Sequence, residues 1–227
     1  MLTNQTPANA TGPSTPSPLQ PERPMPINTP PKQSKRESMR SVLSTISILL
    51  IAPLIAVLLT AFVFQSYQVD GPSMETTLHN NDRLIVWKVA KTWSRLTGHP
   101  YVPGRGDVVV FTEPSLAQYG QEPGKQLIKR VVALPGERVV VKNNTLTVYN
   151  DEHPEGFSPD DELPYGQDIN KDTNIDGEWN VGTNEIFVAG DNRYNSLDSR
   201  IFGPINSGNI VGKLAIRVLP INQMKRF

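Results

Sequence analysis

The sequence predicts a mainly β fold, an antiparallel β domain carried behind one N-terminal apolar helix. Three observations predict it. No residue between Arg40 and Asp70 is charged, a stretch of 29 residues. The chain after it breaks into short apolar and β-branched runs separated by turn formers such as Pro103-Gly104, Pro135-Gly136 and Asn143-Asn144. No long helical period falls between those runs, which favours antiparallel strands over alternating strand and helix.

Residues 1–31 hold nine of the 21 prolines among Thr, Ser, Asn and Gln, with no apolar periodicity that could build a core. They read as a disordered tail, taken here as residues 1–40. The apolar part of the uncharged stretch, Val42 to Phe64, is 23 residues long. As a helix it would measure roughly 35 Å, enough to cross a hydrocarbon core of about 30 Å with some tilt. Pro53 would break a soluble helix but is tolerated in a membrane span. About forty residues precede the run and no small-x-small pattern follows it, which weighs against a cleaved leader. We therefore expect a transmembrane helix over residues 41–66. Lys32, Lys35, Arg36 and Arg40 flank it against Glu37 alone, so the positive-inside rule puts the N-terminus in the cytoplasm and residues 67–227 outside.

The outer domain reads as strands over Arg83–Val89, Asp107–Phe111, Leu127–Leu134, Arg138–Val141, Leu146–Tyr149, Glu185–Ala189 and Ile210–Val218. Between Asn150 and Asn180 ten carboxylates face one lysine, so this stretch, about 150–180, is expected to be an acidic, solvated insertion. Inside it Asp172-Thr173-Asn174-Ile175-Asp176-Gly177 imitates the start of a calcium loop, but the twelfth position is Thr183 where a glutamate is needed. Trp87 and Trp93, with Lys88 and Lys91 between them, suit either a membrane interface or a core.

Composition narrows the chemistry. Twenty-two basic residues balance 22 acidic ones and no basic run occurs beyond the helix flank, so nothing points to nucleic acid. Cysteine is absent, which removes thiol catalysis, disulfides and thiolate-bound metals. His79, His99 and His153 show no ligand spacing, so no metal is expected. His79 sits in a polar turn and is a poor general base for a serine.

A serine hydroxyl is a weak nucleophile and needs a base; without a convincing histidine, a desolvated lysine is the next candidate. Lys129 lies in Leu127-Ile128-Lys129-Arg130-Val131-Val132, a run that reads as a strand buried on both faces. Alternation places Lys129 with Leu127 and Val131, and Arg130 on the other face. Periodicity does not choose between the two cations, but chemistry does, because arginine is effectively never deprotonated. Burial would lower the lysine pKa and leave an amine able to take a serine proton. Ser73, nine residues past Phe64, follows Gly71-Pro72 and is tethered close to the bilayer. Taken alone, Ser73 would pass for a turn serine and Lys129 for a snorkelling one.

Together with the segment Gly190 to Arg200, these residues resemble bacterial type I signal peptidases (leader peptidases), membrane-bound Ser/Lys endopeptidases. Gly71-Pro72-Ser73-Met74 with Thr77-Leu78 is similar to the family's nucleophile box, and Arg105-Gly106-Asp107-Val108-Val109-Val110-Phe111 to its strand box. Lys129-Arg130 through Leu134-Pro135-Gly136-Glu137 is similar to the general-base box. Gly190-Asp191-Asn192-Arg193, Asn195-Ser196 and Asp198-Ser199-Arg200 are similar to the last box. With the N-terminal anchor, the likeness covers nearly all of residues 41–220.

The resemblance implies an antiparallel β catalytic domain of the signal-peptidase type. It implies Ser73 as nucleophile, Lys129 as general base and Ser196 as a hydroxyl that orients the amine. It further implies an ion pair of Arg130 with Asp191 near the site, and Asp198 and Arg200 as braces. Met74, Leu78, Leu127 and Ile128 are implied to line shallow substrate pockets. Some relatives carry an oxyanion-binding serine where this chain has Gly71, so the oxyanion hole is expected to rest on main-chain N–H groups at Ser73 and Gly71. Substrates would be preproteins bearing signal peptides, cleaved without cofactor or required protein partner at the outer face of the cell membrane or a thylakoid membrane. A self-cleaving regulator of the same chemistry would be soluble. The remaining rival, an inactive membrane-anchored β domain that binds exported polypeptides, would tend to lose Ser73 or Lys129, and both are present.

Overall fold

The computed structural model describes residues 35–173 and 175–227. The proline-rich stretch with Lys32 lies outside the described residues, as does Asn174 of the calcium-like motif. Helix α1 spans Lys35–Phe62 and contains Pro53. Its segment Met39–Phe62 is long and apolar enough to cross a membrane. Large apolar side chains from Val42 to Phe62 are exposed, as suits a helix solvated by lipid. Its two threonine hydroxyls are satisfied within the helix, Thr45 Oγ1 donating to the Ser41 carbonyl and Thr60 Oγ1 to that of Ala56.

The helix both starts and stops earlier than expected. It begins at Lys35, inside what reads as tail, and ends at Phe62. Strand β1, Phe64–Gln68, follows at once and pairs antiparallel with β2, Arg83–Trp87, from Phe64 opposite Trp87 to Gln68 opposite Arg83. The expected extension of the β2 strand to Val89 is replaced by α2, Val89–Thr97, a short helix.

The remaining strands are β3 (Val108–Thr112), β4 (Gln126–Ala133), β5 (Arg138–Lys142) and β6 (Thr145–Tyr149), then a helical turn α3 (Pro159–Glu162) and β7 (Gly177–Asn180). After them come β8 (Glu185–Ala189), the turn α4 (Ser199–Phe202), β9 (Ile205–Asn206), β10 (Ile210–Leu219) and β11 (Lys225–Arg226). One eight-stranded sheet runs β1-β2-β10-β3-β4-β8-β9 with β11 added to β10, and a three-stranded sheet runs β6-β5-β7. Every pairing between named strands is antiparallel. The fold is therefore mainly antiparallel β with one N-terminal apolar helix.

Three apolar clusters hold these sheets. Val139, Val141, Leu146 and Val148 of the small sheet pack with Val132, Phe187 and Ala189, and Trp179 covers them. Val109, Phe111, Val131, Ile186 and Val188 form a second cluster. The third joins Val69, Met74 and Leu78 to Leu84, Val108 and Leu214 and lies beneath the segment that carries Ser73.

Nine of the ten carboxylates of the acidic stretch are exposed, yet parts of the stretch are built into the domain. Its strand β7 pairs with β5. Asp160 is buried and forms an ion pair with buried Arg193, which is why a carboxylate there leaves water. Thr173 Oγ1 accepts from Arg200 at 2.7 Å, and the Asn170 N–H donates to the Asp191 carbonyl at 2.9 Å. Parts of the segment thus brace the Gly190 to Arg200 box.

Candidate active site

Ser73 leaves the end of β1 through a turn at Gly71, whose φ of +97° is one that side chains with a Cβ rarely adopt. Met74 and Leu78, both fully buried, pin the turn from below. Across from it lies Lys129 on β4, opposite Val109 of β3 in register. Lys129 Nζ and Ser73 Oγ are in hydrogen-bond contact at 2.7 Å, and the amine also donates to the Ile128 carbonyl at 2.9 Å. Lys129 is only 2% exposed. Burial lowers it from the ordinary 10.5 to about 8, outweighing the opposing pull of Asp198 and Asp191. A buried amine near neutrality touching a serine hydroxyl can accept that hydroxyl's proton.

Arg130 points the other way, as alternation predicts. Its Nε and Nη2 donate to the two carboxylate oxygens of Asp191 at 2.8 and 2.6 Å, and its guanidinium lies 4.4 Å from the Tyr165 ring centroid. Asp198 accepts from Arg200 at 2.9 and 2.7 Å and from the Gly190 N–H at 2.9 Å. Burial opposes its charge, yet those donors hold its carboxyl below the ordinary range. The box is stitched to the serine turn by the Asn192 N–H, which donates to the Ser73 carbonyl at 3.1 Å. Gly190 is required at this junction, since a Cβ there would overlap the Ser196 hydroxyl and the Ser73 carbonyl.

Three of the expected site roles meet a different geometry in the resting structure. Ser196 is buried near the site, but among the described residues its Oγ makes no hydrogen bond, to Lys129 or to any other group. The Gly71 N–H is not free for an oxyanion, because it donates to Asn80 Oδ1 at 3.2 Å. The Ser73 N–H has no acceptor among the described residues. Met74 and Leu78, expected in the pockets, are fully buried in the third apolar cluster beneath the Ser73 turn.

Leu127 and Ile128 line a groove. A cavity of about 130 Å³ runs between the end of β1 and the start of β4, bordered by Tyr67, Val69, Asp70, Leu84 and Val110 and reaching Ser73 and Lys129. The β1 contribution is missed in the sequence because Phe64 to Gln68 merge with the apolar run before them. No residue pattern marks Asp160 or Tyr165 either; the one usable signal is that a buried Arg193 demands a carboxylate. Among the described residues no cluster of His, Asp and Glu could hold a metal, and Asp172 Oδ1 of the calcium-like motif accepts from Asn144 at 3.0 Å. His79 and His99 are exposed, and neither contacts the serine through any bond among the described residues.

The family model described as signal peptidase, peptidase S26, matches residues 42–219. The chain belongs to the signal peptidase family. It is similar to a probable signal peptidase I-1 of Synechocystis, 35% identical over 78% of this chain and 83% of the relative. It is also similar to signal peptidase I P of Bacillus subtilis subsp. natto, 32% identical over 86% of this chain and 97% of the relative. A solved signal peptidase I from Enterococcus faecalis is 28% identical, with a TM-score of 0.36 over 51% of this chain and 98% of that one. As a signal peptidase of this family, the protein is a serine endopeptidase.

Proposed function

We propose that this signal peptidase removes N-terminal signal peptides from exported preproteins with Ser73 as nucleophile and Lys129 as general base. The observation that carries the proposal is the contact of 2.7 Å between Lys129 Nζ and Ser73 Oγ, made by an amine lowered to about 8. The neutral amine takes the hydroxyl proton as Oγ adds to the scissile carbonyl carbon. The resulting oxyanion is met by the Ser73 N–H. The ammonium then returns its proton to the departing amine nitrogen, which frees the mature protein and leaves the signal peptide as an ester on Ser73. Lys129 next deprotonates a water, whose oxygen attacks the ester, and Ser73 leaves with the proton.

Substrate enters as an extended chain. Strand β4 begins pairing with β8 only at Arg130 opposite Ala189, so Gln126 to Lys129 keep one edge open beside the groove. A peptide added to that edge would run past Leu127, Ile128 and Ser73. Helix α1 spans the membrane with its basic flank in the cytoplasm, and the β domain works on the outer face. Arg130 with Asp191, and Asp198 with Arg200, hold the box against Lys129; Ser196 supplies a hydroxyl to the amine during turnover. The test is incubation of the full-length protein with one labelled preprotein, followed by sequencing of the product's new N-terminus. A single cut after the signal peptide by wild type and none by Ser73→Ala is expected. Cleavage by Ser73→Ala would overturn the assignment, and binding without cleavage by wild type would favour the inactive-domain reading.

A further inference from the structure

Helix α2 turns apolar side chains outward and a lysine inward. Trp93 is 66% and Leu96 76% exposed, while Lys91 is buried at 8%. A helix on a water-facing surface shows the reverse pattern. Lys88, Lys91 and Arg95 follow at helical spacing and share a side. That side meets the end of α1, with Lys88 Nζ donating to the Thr60 carbonyl at 3.0 Å and Thr92 Oγ1 to that of Phe62 at 2.9 Å.

Lys91 Nζ donates to the Gly208 carbonyl at 2.7 Å. None of the three cations is paired with a carboxylate among the described residues. Burial and then the charge of Arg95 lower Lys91. Positive charge is therefore gathered here with no protein counter-charge. The three cations border a cavity of about 250 Å³ whose other walls are Thr92 and the apolar Ala61, Phe62, Leu96 and Val211. One wall is cationic and the other is apolar.

We propose that this cavity holds an anionic phospholipid, its phosphate against Lys88, Lys91 and Arg95 and its chains beside Phe62 and Leu96. The inference rests on the reading of α1 as a membrane span. That span is apolar through Phe62, so its end and the helix bonded to it lie at the membrane interface, where tryptophan and basic residues meet headgroups. A free phosphate would leave the apolar wall and the outward Trp93 and Leu96 unexplained; a lipid occupies both. Because β1 and its partner β2 both lead from this junction to the Ser73 turn, a lipid clamped here sets the height of the groove above the bilayer.

The full-length protein is reconstituted into phosphatidylcholine vesicles, and flotation with those vesicles tests the span itself. Tryptophan quenching is then compared for equal small fractions of chain-brominated phosphatidylglycerol and chain-brominated phosphatidylcholine. Preferential quenching by phosphatidylglycerol is expected, lost largely in Trp93→Phe and reduced on the order of tenfold in Lys88→Gln/Arg95→Gln. Cleavage of a soluble peptide by these variants should match wild type, which reports that they are folded. Equal quenching by the two lipids in floating, active wild type would overturn the proposal, as would an unchanged preference in the double variant. Displacement by inorganic phosphate would make the site one for a free anion and overturn the lipid assignment. Failure to float would refute the span, on which the proposal depends.

Discussion

At Lys129 the chemistry of the side chain, its burial and its neighbours all act on one proton. With the ammonium lowered to about 8, activity should rise with pH and level off above about 8, because only the neutral amine accepts the Ser73 proton. A profile of kcat/KM for a soluble peptide with no ionisation below about 10 would contradict a desolvated base. Lys129→Arg should be inactive at every pH, since arginine keeps the charge but does not release it. Ser196 offers a finer measurement. Its hydroxyl is buried without a partner, and Ser73 ceases to be available to the lysine once it is acylated. Ser196→Ala should therefore lower kcat, which includes deacylation, by about 10- to 1000-fold, between wild type and Lys129→Ala. A wild-type value would leave Ser196 a turn residue. Ser73 and Lys129 stand out in sequence through their likeness to the family's boxes, since taken alone each passes for an ordinary turn or strand residue. The commitment of the Gly71 N–H to Asn80 is not legible, since it depends on a turn geometry that no local pattern encodes.

Elements are legible where burial and period agree. Glu185–Ala189 is a strand over the residues expected, and β4 differs by one residue at each end, because their β-branched runs are buried and bounded by turns. Strand β1 is hidden because five residues after a membrane helix carry no pattern of their own. Helix α2 is hidden because its apolar side faces away from the core. Met74 and Leu78 pack in the core beneath the nucleophile turn, a placement that an apolar residue beside a nucleophile suits as well as a pocket. In the acidic stretch nine of ten carboxylates are exposed, as the charge count suggests, while Asp160 sits buried against Arg193. Asp160→Ala would strand that guanidinium and should cost roughly 3–5 kcal/mol. Asp160→Leu/Arg193→Met removes both charges and should cost less. Urea midpoints decide this, and an Asp160→Ala variant as stable as wild type would return the stretch to a solvated role.

Across the whole molecule, the membrane and the buried base impose separate constraints. In sealed vesicles with the cytoplasmic face outward, added protease should remove the proline-rich tail and spare the β domain; digestion of the β domain first would reverse the orientation. The second constraint is a cost in stability carried for function. The folded state disfavours the charged lysine, so between about 8 and 10.5 it binds fewer protons than the unfolded chain. Stability therefore rises with pH through that window, and below about 8 the full penalty is present. Lys129→Met removes the charge while keeping most of the volume and forgoes the contacts to Ser73 Oγ and the Ile128 carbonyl. Desolvation is the largest influence on the lysine, so the inactive variant should be more stable than wild type at pH 7, on the order of 1–3 kcal/mol. The difference should shrink towards zero above about pH 10.5, where the wild-type amine is neutral folded or unfolded. Urea unfolding of both proteins at pH 7, 9 and 11 measures this. A variant less stable than wild type at pH 7, or a gap that does not narrow with pH, would mean that the lysine's contacts outweigh its burial.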